Sequence, residues 1–174
     1  MFTDVDKCLV YLFNVAAKSP QSVKAIFFSE NGKVDCRSIR ETEDYDNSRI
    51  PTEHITLARN ILSRCYGELE QMESLFFLYH YGTLNEYLPQ LQQGLSILTG
   101  ESQELVAIVI KGYTSGKATP LAEIAKLFNL EYNTANNKCR KIRKTLEILK
   151  CDISAKIEIT LIAEGILKYL SEIA

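Results

Sequence analysis

Along most of this chain the apolar residues recur at intervals of three and four, and strict alternation is scarce. That period predicts helices and an all-α fold. Val5, Leu9, Leu12, Phe13 and Ala16 make one stripe over residues 4–17, with Thr3 or Asp4 as the N-cap and Ser19-Pro20 as the stop. Pro51-Thr52 opens a longer pattern that runs to Gly82 through Ile55, Ala58, Ile61, Leu62, Cys65, Leu69, Met72, Leu75, Phe76 and Tyr79, with Gly67 as a dividing point. Residues 85–98 give a further helix interrupted by Pro89. Thr99-Gly100 separates it from a helix over 101–112, and residues 113–119 read as a loop. Residues 22–39 fit either a helix or a short hairpin turning at Asn31-Gly32. Residues 40–49 hold Glu41, Glu43, Asp44 and Asp46, with Glu53 nearby and almost nothing apolar, and read as an exposed loop or linker.

The local signals agree best over residues 119–150, TPLAEIAKLFNLEYNTANNKCRKIRKTLEILK. Thr119 is suited to an N-cap, Pro120 to the first helical position, and Glu123 to the positive end of the helix dipole. Leu121, Ile124, Ala125 and Phe128 form the inner stripe of a short helix. Asn129 then stands where a left-handed residue ends it, and Leu130 is the apolar residue inside the turn. A second helix is expected to start near Asn133 or Thr134 and to run to about Lys150. At roughly 100° per residue, Ala135, Cys139, Ile142, Leu146 and Leu149 fall on one stripe of it. The opposite face carries Asn133, Asn137, Arg140, Lys141 and Lys144, flanked by Asn136, Arg143 and Lys138, with no acid among them.

Charge sharpens this picture. The chain holds 20 basic and 22 acidic residues, yet residues 117–150 hold eight basic and three acidic ones, which leaves 12 basic and 19 acidic elsewhere. A chain of net charge −2 has therefore gathered its positive charge on one helix. Clustered Lys and Arg are the footprint of a phosphate-binding surface, and Asn and Arg side chains match the major-groove edges of adenine and guanine.

The pattern of an E-I-A triplet (Glu123, Ile124, Ala125), an apolar pair, a turn and a basic helix ending in Leu resembles the helix-turn-helix of sigma factor region 4 and related bacterial and phage regulators. Asn129 replaces the usual turn glycine, and Ala135 and Cys139 replace larger apolar residues. Phage late antiterminators of the Q type are similar in plan. The resemblance covers about residues 119–150. It implies a transcriptional regulator that binds double-stranded DNA, and a partner in RNA polymerase. On this reading Asn133, Thr134, Asn137 and Arg140 approach base edges, Lys138, Lys141, Arg143 and Lys144 neutralise phosphates, and Lys117 and Lys126 lie near phosphates.

Two other uses of the basic helix stay open: docking an acidic protein, as a helical interaction module, and binding RNA. Residues 1–100 are expected to form a helical region for a protein partner, and residues 101–174 the helix-turn-helix region with a final helix. In that last segment Ile153, Ile157, Leu161, Ile162, Ile166, Leu167, Leu170 and Ile173 make a stripe too wide for a lone surface helix. Either it packs on the chain's own N-terminal helices, or residues 152–174 join a homodimer.

With 174 residues, 46% of them hydrophobic, the chain can bury a core without staples, which excludes disorder, a collagen-like fibre and a disulfide scaffold. Cys8, Cys36, Cys65, Cys139 and Cys151 are odd in number and widely spaced, and they read as reduced and mostly buried. His54 and His80 have no metal-ligand spacing, so neither a metal nor a cofactor is expected. No secretory signal opens the chain, and Lys156, Glu158, Glu164, Gly165 and Lys168 break the apolar tail. A cytoplasmic protein without a membrane span is expected. An enzyme is not. There is no phosphate loop, no G-x-S-x-G and no H-E-x-x-H; Glu70 and Glu73, at i,i+3, read as a solvated face, and the aromatic run Phe76, Phe77, Tyr79, Tyr81 and Tyr87 reads as core packing rather than a base-stacking platform.

Overall fold

The structure, a computed structural model, describes residues 4–18 and 52–167. The described residues form α1 (Val5–Ala17), α2 (Thr52–Gly67), α3 (Gln71–His80), a 3-10 turn (Asn85–Tyr87), α4 (Leu88–Thr99), α5 (Gln103–Ser115), α6 (Leu121–Leu127) and α7 (Tyr132–Ala163). No strand occurs among them, and the fold is all-α. The ambiguous stretch 22–39, the acidic stretch 40–49, Cys36, Leu170 and Ile173 lie outside the described residues.

The chain divides into two compact units, Met1–Leu69 with Ser154–Ala174, and Glu70–Ile153. Residue 100 lies within the second unit, where the corner between α4 and α5 is closed by packing and hydrogen bonds. Ser96 Oγ donates to the Glu101 carbonyl at 2.6 Å, and Gln92 Nε2 donates to the Gln103 carbonyl at 3.1 Å. Gly100 caps α4 with φ of 68°, a left-handed conformation that glycine adopts without a Cβ clash.

In the first unit, Asp4 caps α1 by accepting from the Lys7 N–H at 3.1 Å, as its position in the sequence predicts. Cys8, Leu9, Leu12, Phe13, Val15 and Ala16 are buried on α1, which packs on α2 through Ala58, Ile61, Leu62 and Cys65. Arg64 forms an ion pair with Glu164 in the same unit. Ile157 and Leu161, at 0% exposure, and Leu167, at 5%, are buried in this unit as well, while Ile162 and Ile166 are half-buried.

In the second unit, Phe76, Phe77, Leu78, Tyr79, Tyr81 and Tyr87 are buried with Leu91, Leu95, Leu105, Val106, Val109 and Ile110. The aromatic run is core. Three sequence readings change here. Pro89 lies in the first turn of α4, where its missing N–H breaks no helical bond, so it starts the helix rather than interrupting it. Glu73 is 6% exposed and accepts from the Glu70 N–H at 2.8 Å, so this carboxylate caps α3 instead of facing water. The helix expected to end at residue 112 runs on to Ser115. Gly112 is where it meets the following stretch of chain: a Cβ there would sit 3.1 Å from the Ala118 Cα, so a larger residue would push residues 117–118 away from α5 by a few tenths of an ångström.

Candidate nucleic-acid interface

That stretch leads directly into α6. Pro120 is its N-cap, one residue beyond the expected Thr119, and the Pro120 carbonyl accepts from the N–H groups of Glu123 and Ile124 at 3.0 and 3.1 Å. Ile124 is 1% exposed, whereas Leu121, Ala125 and Phe128 are only half-buried, so the expected inner stripe is anchored at one residue. Asn129 adopts φ of 50°, the left-handed conformation its place in the sequence predicts. The Leu130 N–H then donates to the Ala125 carbonyl at 2.8 Å, which closes the turn. The chain re-enters a helix at once, and the Glu131 carbonyl accepts from the Ala135 N–H at 2.9 Å. The start of α7 at Tyr132 is one residue ahead of the expected one.

Two opposite faces define the first five turns of α7. Ala135, Cys139, Ile142 and Leu146 are each 0% exposed, while Leu149 is half-buried. Asn133, Thr134, Asn136, Asn137, Arg140, Lys141 and Lys144 are exposed, as are Lys117 and Lys126 ahead of them. Arg143 is half-buried. Among the described residues no carboxylate forms an ion pair with Arg140, Lys141, Lys144, Lys117 or Lys126. Among the described residues nothing neutralises that face. Burial pushes the Cys139 thiol up, with Arg143 working against the shift and Glu101 adding to it, so this cysteine is an inert core residue.

Lys138 departs from the expected arrangement. Its ammonium is paired with Glu101, whose side chain is 10% exposed, at the α4–α5 corner of the same unit. It is therefore turned to the protein and not presented with the other cations. Sequence reasoning missed Glu101 because nothing local to residues 99–103 announces a partner 37 positions away.

No family model, curated protein or solved structure matches this chain.

The helix expected to stop near Lys150 continues unbroken to Ala163, since no Gly or Pro intervenes and Ile153, Ile157 and Leu161 extend the buried stripe at the same period. Its 32 residues span about 48 Å at the usual rise. Exposed Cys151 lies on this continuation. Among the described residues no group of three His, Cys, Asp or Glu side chains could hold a metal ion, and no helix is long and apolar enough to cross a membrane.

Proposed function

We propose that this chain is a DNA-binding transcriptional regulator that sets the first turns of α7 in the major groove of double-stranded DNA. The observation that carries the proposal is the two-sidedness of that helix: a fully buried apolar stripe of Ala135, Cys139, Ile142 and Leu146 behind, and in front an exposed face of Asn133, Thr134, Asn137, Arg140, Lys141 and Lys144 that no described carboxylate neutralises. The short α6, the left-handed Asn129 and the closing bond at Leu130 supply the turn that such a helix needs in front of it. Asn133, Thr134, Asn137 and Arg140, nearest the N-terminus, are suited to base edges, whereas Lys141, Arg143, Lys144, Lys117 and Lys126 are suited to phosphates. The resemblance to sigma region 4 extends the reading to regulation alongside RNA polymerase in the cytoplasm. A homodimer through residues 152–174 would pair two half-sites; Ile159, 73% exposed, is the large exposed apolar side chain among the described residues of that segment.

The test is binding of the whole chain to a fluorescent random-sequence duplex over a salt titration, beside Arg140→Glu/Lys144→Glu. Affinity should fall steeply as salt rises, with a log–log slope of about −0.9 per phosphate contacted, and the double variant should lose binding while keeping its fold. A wild-type chain that fails to bind at low salt would overturn the reading.

A further inference from the structure

The reading above treats the cations of α7 as one surface, but the Lys138 pairing with Glu101 separates one of them from the rest. Glu101 sits just ahead of the Ser102 N-cap of α5, with its carbonyl held by Ser96 Oγ at 2.6 Å, so its backbone is fixed from the α4 side. Its side chain is 10% exposed and that of Lys138 is 35% exposed. A carboxylate so far removed from water is costly to leave without its counter-charge, far more so than an exposed one. A DNA phosphate offers Lys138 a new partner only by stranding that carboxylate. Arg140, Lys141 and Lys144 carry no such cost, because no carboxylate among the described residues holds them.

We infer that Glu101 is a positioning residue of the nucleic-acid interface, which withholds Lys138 from phosphate and uses it to fix α7 against the α4–α5 corner. The inference rests on the proposed DNA-binding reading. It makes the number of phosphate contacts one smaller than the count of basic residues on α7 suggests, and it makes that number adjustable by a residue that touches no DNA. Removing the Glu101 charge frees the Lys138 ammonium, which is exposed enough to turn to the duplex.

The experiment compares salt slopes for a fluorescein-labelled random-sequence duplex bound by the full chain as wild type, Glu101→Gln, Glu101→Gln/Lys138→Gln, Lys138→Arg and Lys144→Gln. Lys144→Gln should shallow the slope by about 0.9, and Glu101→Gln should steepen it by about 0.9, an extra loss of about 3.5-fold between 50 and 200 mM salt. Glu101→Gln/Lys138→Gln should return to the wild-type slope, and Lys138→Arg, which keeps the pair, should stay there. An unchanged slope in Glu101→Gln, with Lys144→Gln behaving as stated, overturns the role of Glu101 and leaves the DNA reading standing. No binding by the wild type overturns both. Should Glu101→Gln fail to fold by circular dichroism, the double variant decides: a wild-type slope supports the inference, and one shallower by about 0.9 overturns it.

Discussion

The Leu130 N–H reaches back to the Ala125 carbonyl at 2.8 Å across a turn in which Asn129 has φ of 50°. Left-handed backbone is strained for most residues and free for glycine, with Asn in between. Asn129→Gly should therefore leave stability unchanged or raise it by up to about 1 kcal/mol, whereas Asn129→Val should lower it by about 1–2 kcal/mol. Urea midpoints of the two variants decide the matter; equal midpoints would mean that the turn conformation carries no energetic weight.

Ile142 and Leu146 are each 0% exposed on the inner face of α7, while Ile148 beside them is 51% exposed. Truncating Ile142 or Leu146 to Ala should cost about 2–5 kcal/mol through lost burial and a residual cavity. Ile148→Ala should stay within about 0.5 kcal/mol. Thermal unfolding measures the contrast, and similar losses at all three positions would show that the face assignment is incorrect.

This contrast also shows what the sequence makes legible. Period alone separates Ile142 and Leu146 from Arg140 and Lys144, because one helix turns each residue to a fixed side whatever lies opposite. Asn129 is legible for a similar reason: the left-handed conformation belongs to the residue type and to the helix end, both local. Glu101 with Lys138, Glu73 under the start of α3, and the continuation of α7 past Lys150 are set by what lies across the fold or by the absence of a stop signal. A pairing over 37 positions leaves no periodic trace.

Buried thiols give the chain an alkaline limit. Burial pushes Cys8 up to about 11 and, with Cys8 nearby, Cys65 up to about 12, from an ordinary 9.0. The unfolded chain loses these protons near pH 9 while the folded chain keeps them, so the stability they contribute is fully present below pH 9 and declines as pH rises through 11 and 12. Urea midpoints between pH 8 and 11 should fall less steeply in Cys65→Ala than in the wild type. An identical pH dependence in the two would remove the thiol from the explanation.

Arg64 and Glu164 form an ion pair within the first unit, but the Arg64 side chain is 67% exposed. Water and salt screen such a pair, and Arg64→Ala should cost less than about 1 kcal/mol. A larger loss in thermal unfolding, persisting at high salt, would mean that the Arg64 stem contributes packing rather than charge.

Asn133 and Asn137 are exposed on the front face of α7 and carry no charge, so their exchange separates base reading from simple attraction. Asn133→Ala and Asn137→Ala should leave random-sequence affinity and its salt slope nearly unchanged while relaxing preference in a site selection by about 1–3 kcal/mol at the base each one reads. A selection that returns the wild-type motif from both variants would show that neither side chain reads a base.

The same helical geometry turns Cys151 into a ruler. Eleven residues beyond Arg140 and seven beyond Lys144, it returns to within about 20° of both, on the same side of the rod and roughly 10 Å past Lys144. It is exposed, whereas Cys8, Cys65 and Cys139 are buried. A maleimide dye at Cys151 would thus stand at the margin of the basic surface, close enough to change its brightness when a duplex arrives and far enough to leave the contacting side chains untouched.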